Sequence, residues 1–242
     1  MSTSPRSYER SDADIRPVTI EPGFVSSADG SALISVGGTR VICTASVTTR
    51  VPKWMEGRGT GWVTAEYSML PASTGDRKAR DISKGKLDGR SVEIQRLIGR
   101  SLRVAVDFKA LGERSVYVDC DVLEADGGTR CAAITGGYVA LHLALSDLVK
   151  AGELEQMPLT TAVAAVSVGM VDGRPVCDLD YAEDSTAEVD ANVVMTGEGG
   201  LIEVQATAEQ MPLSRASLDE LLSLAEAGIA RLRVAQDEAT AA

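Results

Sequence analysis

Apolar and polar residues alternate in several short runs of the chain, which predicts β-strands with one buried face. SALISVGGTRVICTASVTTR (31–50) reads as a hairpin turning at Gly37-Gly38. WVTAEYSML (62–70) and SVYVDCDVL (115–123) read as further strands. The period changes over 91–108, where Ile94, Leu97, Ile98, Leu102 and Ala105 recur at helical spacing. A second helix is predicted over 132–149, after the turn ADGGTR. Strands follow at 161–171, 175–181 and 201–207, then a helix over 214–237 with Ser214 as N-cap. Thr64-Ala65-Glu66 and Thr207-Ala208-Glu209 form a faint echo between two strands that each precede a helix. This order predicts an α+β fold of two layered halves rather than a doubly wound sheet. GELEQMP (152–158) is the best boundary. The expected organisation is a polar, partly ordered arm over 1–16, a first half over 17–151 and a second half over 158–242.

Composition narrows the class. The chain has 242 residues, 44% hydrophobic, with aromatics at only 4%, so its core is built from Ala, Val, Leu and Ile. The first residues lack the apolar stretch of a secretory leader. AVAAVSVGMV (162–171) is far short of the ~20 residues of a membrane helix. The four cysteines, at 43, 120, 131 and 177, form no C-x-x-C pair and suit a reducing cytoplasm. His142 is the only histidine and lies in an apolar run, so chemistry needing a His base or several His ligands is poorly supported.

Net charge is −11, which on average repels phosphate. Its distribution reverses that expectation. Residues 50–103 hold 12 of the 24 Lys and Arg against 6 Asp and Glu. Within them, 71–89 reads as a long exposed loop carrying Arg77, Lys78, Arg80, Lys84 and Lys86, an RNA-binding candidate. Arg96, Arg100 and Arg103 share one helical face, either a solvated, locally paired stripe or a phosphate track. Conversely, 172–209 has ten carboxylates and one base, Arg174. Asp178, Asp180, Asp184 and Asp190 cluster there, as an acidic surface loop or a site for a hard cation such as Mg²⁺. Asp126-Gly127-Gly128-Thr129-Arg130 precedes a helix and offers amides, a hydroxyl and an Arg fork to an anion. Gly89-Arg90 also precedes a helix. Two such helix starts and one acidic cluster suggest phosphoryl chemistry without naming the reaction.

Longer motifs do name one. GWVTAEYSMLP (61–71), GRSVEIQRLIGRSLR (89–103), KALGERSVYVDCDVLEADGGTRCAAITG (109–136), VCDLDYAEDSTAEVDANVVMT (176–196) and IEVQATAE (202–209) stand in one order. Over about 10–236 the chain resembles the ribonuclease PH family, phosphate-dependent 3′→5′ exoribonucleases related to polynucleotide phosphorylase and the exosome ring subunits. The resemblance implies the ribonuclease PH fold, two similar sheet/helix halves of the ribosomal protein S5 domain 2-like type. It implies ring-shaped homohexamers, trimers of dimers, that trim tRNA precursor 3′ ends, with a role in rRNA processing. It assigns Arg90, Gly128, Thr129 and Arg130 to phosphate, and Asp184 and Asp190 to catalysis or Mg²⁺. Asp178 and Asp184 are also six apart, but the flanking text favours the later pair. Departures from the family pattern include Glu9-Arg10 in the arm, Cys131 after the GGTR loop, Asp190-Ala191-Asn192, Val204-Gln205-Ala206, and Arg77-Lys78-Ala79-Arg80-Asp81 in the basic loop. None removes a chemical group assigned above. A non-catalytic ring subunit and a small-molecule phosphotransferase are the competing readings.

Overall fold

A computed structural model describes residues 6–80, 83, 85–86, 88–209 and 212–241. The first half is a five-stranded sheet built from β1 (Val18–Pro22), β2 (Gly30–Val36), β3 (Thr39–Thr48), β4 (Trp62–Met69) and β5 (Ser115–Glu124). Spatial order is β1-β2-β3-β5-β4, antiparallel except for the parallel β4–β5 pair. A parallel pair needs a long crossover, and α1 (Gly89–Val104) with the one-turn α2 (Phe108–Leu111) supplies it. α3 (Thr129–Lys150) follows β5. The second half is an antiparallel sheet, β7-β6-β8-β9, of β6 (Val163–Val171), β7 (Arg174–Cys177), β8 (Val189–Thr196) and β9 (Leu201–Ala208). The one-turn α4 (Tyr181–Asp184) separates β7 from β8, and α5 (Arg215–Thr240) closes the chain.

Two apolar clusters hold these halves. Ile34, Val41, Val118, Ile94, Leu97, Ile98 and Leu102 pack with α3 in the first. Val166, Val168, Ala191 and Val193 pack with Leu221, Ala225, Ile229 and Leu232 of α5 in the second. α3 touches β2, β3, β5, β6 and α5, so it is buried on most sides and apolar nearly all round. That makes α3, rather than 162–171, the stretch long and apolar enough to match a membrane span, yet 67% of that window lies buried within the protein. It is a core helix here.

The structure departs from the expected elements at definite places. β1 is an additional edge strand ending at Pro22, whose missing N–H an edge tolerates. β8 runs through the acidic segment. It is buried on both faces, so no alternation betrays it, and Asp190 and Asn192 disguise its apolar run. The strand expected at 175–181 stops at Cys177, because Asp178 takes a left-handed φ of 57° and Asp180 starts α4. The helix expected at 91–108 ends at Val104, and Asp107 caps α2 by accepting from the Lys109 and Ala110 amides. The helix expected from 132 starts at Thr129, so the GGTR segment is itself a helix start.

The arm is not loose. Among its described residues, Arg6 is 9% exposed and Arg16 1% exposed. Arg174 pairs with Asp12, Arg231 pairs with Asp14, and the Cys177 amide donates to the Asp12 carbonyl. The arm is therefore stitched across β7 and α5 of the second half.

Gly30 lets β2 approach α3 closely. A Cβ there would overlap the Ala140 carbonyl and stand 2.5 Å from the Ala144 nitrogen, both backbone atoms that cannot move aside. Gly30→Ala is expected to cost about 1–3 kcal/mol through overpacking, read as a lowered urea midpoint; an unchanged midpoint would refute this contact.

Candidate active site

The GGTR loop is braced from behind. Gly127 and Gly128 have φ of 77° and 65°, a left-handed pair that a side chain at either position would oppose. A Cβ on Gly127 would stand 2.6 Å from the Leu179 carbonyl oxygen, so the loop presses directly on the 178–181 backbone. The Asp126 carbonyl accepts from Nη1 of Arg16, and the Gly127 carbonyl accepts from the Thr39 hydroxyl at 2.6 Å. Trans peptide planes put each carbonyl opposite the next amide. The Gly127 and Gly128 amides are thereby turned away from Arg16 and Thr39.

Arg16 is itself held by Asp178. Its backbone amide and Nε donate to Oδ2 at 2.7 and 2.9 Å, and Nη2 donates to Oδ1 at 2.7 Å. Asp178 is 4% exposed, and both its oxygens are occupied. Of the two Asp pairs six residues apart, the one including Asp178 is therefore the one already engaged by an arginine.

Four of the assigned residues meet at one cleft of about 520 Å³, whose lining includes Met69, Arg90, Gly128, Thr129, Tyr181 and Asp184. Arg90 lies in the first turn of α1 and is exposed. Thr129 is buried, and its Oγ1 accepts from the Tyr67 hydroxyl at 2.9 Å, which leaves its own O–H to donate to an anion. Nη1 of Arg130 donates to Oε1 of Gln205 at 2.6 Å and approaches Glu93 at 3.4 Å. This contact sets the guanidinium at the junction of α1, α3 and β9.

Asp184 ends α4 and Asp190 lies in β8. Neither side chain is hydrogen-bonded or ion-paired to a neighbour among the described residues. Partial burial raises the Asp184 carboxyl, while the charges of Arg90 and Arg130 pull it down. Burial first, and then the Asp184 charge, pushes Asp190 up to about 6, against the pull of Arg130 and Arg90. The two carboxylates and two arginines thus share one electrostatic neighbourhood. No group of three or more His, Cys, Asp or Glu arranged for a metal occurs among the described residues. Two like-charged, otherwise unpartnered carboxylates suit a cation that retains most of its waters, as Mg²⁺ does.

The basic surface divides. Arg77, Arg80 and Lys86 are exposed; Lys84 lies outside the described residues. Lys78 reaches Asp88 at 3.5 Å. The α1 stripe is largely consumed locally. Arg100 makes two 2.9 Å bonds to Glu203, and Arg103 lies 4.8 Å over the Trp62 ring and donates to the Val63 carbonyl. Only Arg96 of the three fits a phosphate track. His142 stacks edge-on with Tyr138, and all four cysteines are buried thiols. Cys131 donates to the Asn192 side chain, its thiol pushed up by burial.

Arg16, Tyr67 and Gln205 shape the site, yet sequence reasoning gave them no role. A tyrosine on the buried face of β4 and an aspartate at the end of a buried strand were the available signals.

Models of the 3′ exoribonuclease family match residues 14–146 (domain 1) and 161–228 (domain 2). A protein named ribonuclease PH from Roseobacter denitrificans is 58% identical over 228 residues, covering 94% of this chain and 96% of that one. Its namesake from Syntrophomonas wolfei is 56% identical over 227 residues, covering 94% and 95%. Among solved structures, rice (Oryza sativa) Rrp46 superposes with a TM-score of 0.78 at 17% identity, covering 97% and 100% of the chains. The Archaeoglobus fulgidus exosome with RNA bound to the active site gives 0.77 at 21%, covering 95% and 91%. These two show the shared fold.

Two measurements check the site. Asp178→Asn leaves Arg16 buried without its counter-charge and is expected to cost about 3–5 kcal/mol in urea unfolding. Asp184→Asn is expected to change stability by less than about 1 kcal/mol; the reverse order would exchange their roles. In cation-free protein, carboxyl ¹³C NMR should show Asp190 titrating near pH 6 and lower in Asp184→Asn. Because the folded value is raised, this group's stabilisation is full below about pH 3.9 and lost as pH rises through about 6.

Proposed function

This chain belongs to the ribonuclease PH family of 3′ exoribonucleases, and we propose that its cleft trims tRNA precursors, with Arg90, Gly128, Thr129 and Arg130 holding the attacking phosphate. The protein is a phosphate-dependent 3′→5′ exoribonuclease, which converts RNA(n) and phosphate to RNA(n−1) and a nucleoside 5′-diphosphate. The observation that supports the residue-level reading is that Arg90, Gly128, Thr129 and Asp184 line one cleft, with the charges of Arg90 and Arg130 acting on both Asp184 and Asp190.

The chemistry follows from charge. Inorganic phosphate is already an anionic nucleophile, so no histidine base is needed to activate it. The difficulty is bringing one anion against another. Arg90 and Arg130 neutralise the attacking phosphate, while the Thr129 hydroxyl and the amides at the start of α3 orient it in line. Asp184 and Asp190 would hold Mg²⁺, which when bound supplies positive charge beside the scissile phosphate. One of the two could instead give a proton to the departing 3′ oxygen, and Asp190, pushed up to about 6 with no cation bound, is the better suited. A phosphodiester is exchanged for a phosphoanhydride, so the reaction should run in both directions and add nucleotides from diphosphates.

The exposed Arg77, Arg80 and Lys86 offer positive charge to the body of the RNA, and Lys84, outside the described residues, adds to the charge of the same stretch. We further propose a homohexameric ring, a cytoplasmic location in keeping with four free buried thiols, and a role in rRNA processing.

The test is to incubate the protein with tRNA bearing a 3′ extension, with and without phosphate, and to identify the released nucleotides. Diphosphates appearing only with phosphate are expected; monophosphates would mean hydrolysis. Arg90→Ala and Arg130→Ala should each slow release by roughly 100-fold or more while RNA still binds in phosphate-free buffer. Near-normal rates in both variants would remove the phosphate site from these residues.

A further inference from the structure

Tyr181 has no part in the chemistry above, yet it is a conspicuous side chain on the cleft wall. It is 66% exposed, more than any other exposed aromatic among the described residues. A single exposed ring needs no explanation by itself; its place on the wall of this cleft is what makes it available to a ligand there.

Its placement is fixed by α4. Asp180 and Glu183, three apart, face the arm. The Ser7 hydroxyl donates to Asp180 at 2.6 Å, and Arg6 binds Glu183 through Nε at 2.6 Å and Nη2 at 3.0 Å. Asp180 and Glu183 also close a reciprocal capping box on the helix start. Tyr181 and Asp184, again three apart, both line the cleft with Arg90 and Thr129. Residues at this spacing sit side by side, roughly 5–6 Å between Cβ atoms. The tyrosine ring therefore stands one turn from a carboxylate assigned to the reacting phosphate, on a helix pinned by the arm. The helix that carries the ring is thus in place before a ligand arrives.

We infer that Tyr181 stacks on the base of the 3′-terminal nucleotide of RNA. The inference rests on the reading of this cleft as the phosphorolytic site. The last phosphodiester must lie between the phosphate held at Arg90, Thr129 and Arg130 and the carboxylates of Asp184 and Asp190. Its terminal base must then rest on a nearby wall, and Tyr181 is the flat apolar surface there. Every base has a π-face, so stacking accepts all four. An exoribonuclease that exposes a new terminal base at each step needs such sequence tolerance.

Two oligoribonucleotides of equal length, one ending in a normal adenosine and one in an abasic residue, test the idea with wild type, Tyr181→Phe and Tyr181→Ala. Binding is measured in phosphate-free buffer by fluorescence anisotropy. Tyr181→Ala should bind the adenosine-ended RNA about tenfold more weakly than wild type, and Tyr181→Phe nearly as well. The abasic RNA should bind all three proteins alike, at about the level of Tyr181→Ala with adenosine. Equal losses on both RNAs, a phenylalanine variant as weak as alanine, or no loss at all would overturn the inference. Diphosphate release by the wild type is measured in parallel. Its absence would bring down the functional reading and the inference with it, whereas normal release without any dependence on the terminal base would bring down the inference alone.

Discussion

A buried ion pair between Arg16 and Asp178, 162 positions apart, organises the cleft. Burying either charge alone would cost several kcal/mol, so the pair persists only because every polar atom is met. Asp178 accepts from the Arg16 backbone and side chain, and Arg16 spends its remaining donors on the loop carbonyls at 126 and 127. Those carbonyls point backward, which turns the glycine amides the other way. Gly128 is small enough to admit Nη2 of Arg16, which a Cβ would meet at 3.1 Å. The same pair ties the arm, the first half and the second half at one point. Substrate-binding loops carry no core of their own, and here a single pair substitutes for one.

The second constraint is electrostatic conflict kept in place. Asp184 and Asp190 repel each other beside two arginines, and none of the four forms a direct pair with another across the cleft. Satisfied ion pairs would be more stable but could hold neither phosphate nor a cation. Elsewhere in the molecule opposite charges do pair directly, as at Arg6–Glu183, Arg100–Glu203 and Arg174–Asp12. Of the four, Arg130 alone has an ion-pair partner among the described residues, Glu93 at 3.4 Å. A chain of net charge −11 can still present a basic surface: the arm and α1 consume several charges locally, while Arg77, Arg80, Lys86, Arg90 and Arg96 stay exposed.

Much of the architecture was legible along the chain. The β2–β3 hairpin, β4, β5, β6 and β9 show strand patterning, and α1, α3 and α5 show helical spacing or long apolar runs. β8 was hidden because burial on both faces erases alternation, and its two polar residues suggested an acidic loop. The anchoring of the arm was not legible for a related reason. Arginines read as solvent-facing until their partners are known, and the partners of Arg6, Arg10 and Arg16 lie about 170 residues away. The α1 stripe shows the same gap: spacing placed three arginines together, but only packing revealed that Glu203 and Trp62 occupy two of them.

Local rules and long ordered motifs therefore determined the class of fold, the family, the order of elements and the residues suited to phosphate and cation. These depend on periodicity, capping and residue chemistry over spans of a few to a few tens of residues. Only the tertiary structure showed which aspartate braces a buried arginine and which lines the cleft. Asp178 and Asp184 are the same residue type in one acidic segment, each six positions from another aspartate. One accepts three bonds from a buried arginine, and the other faces an open cleft beside Arg90. The difference lies in long-range contacts that form only when the arm, the loop and the second sheet close on one another.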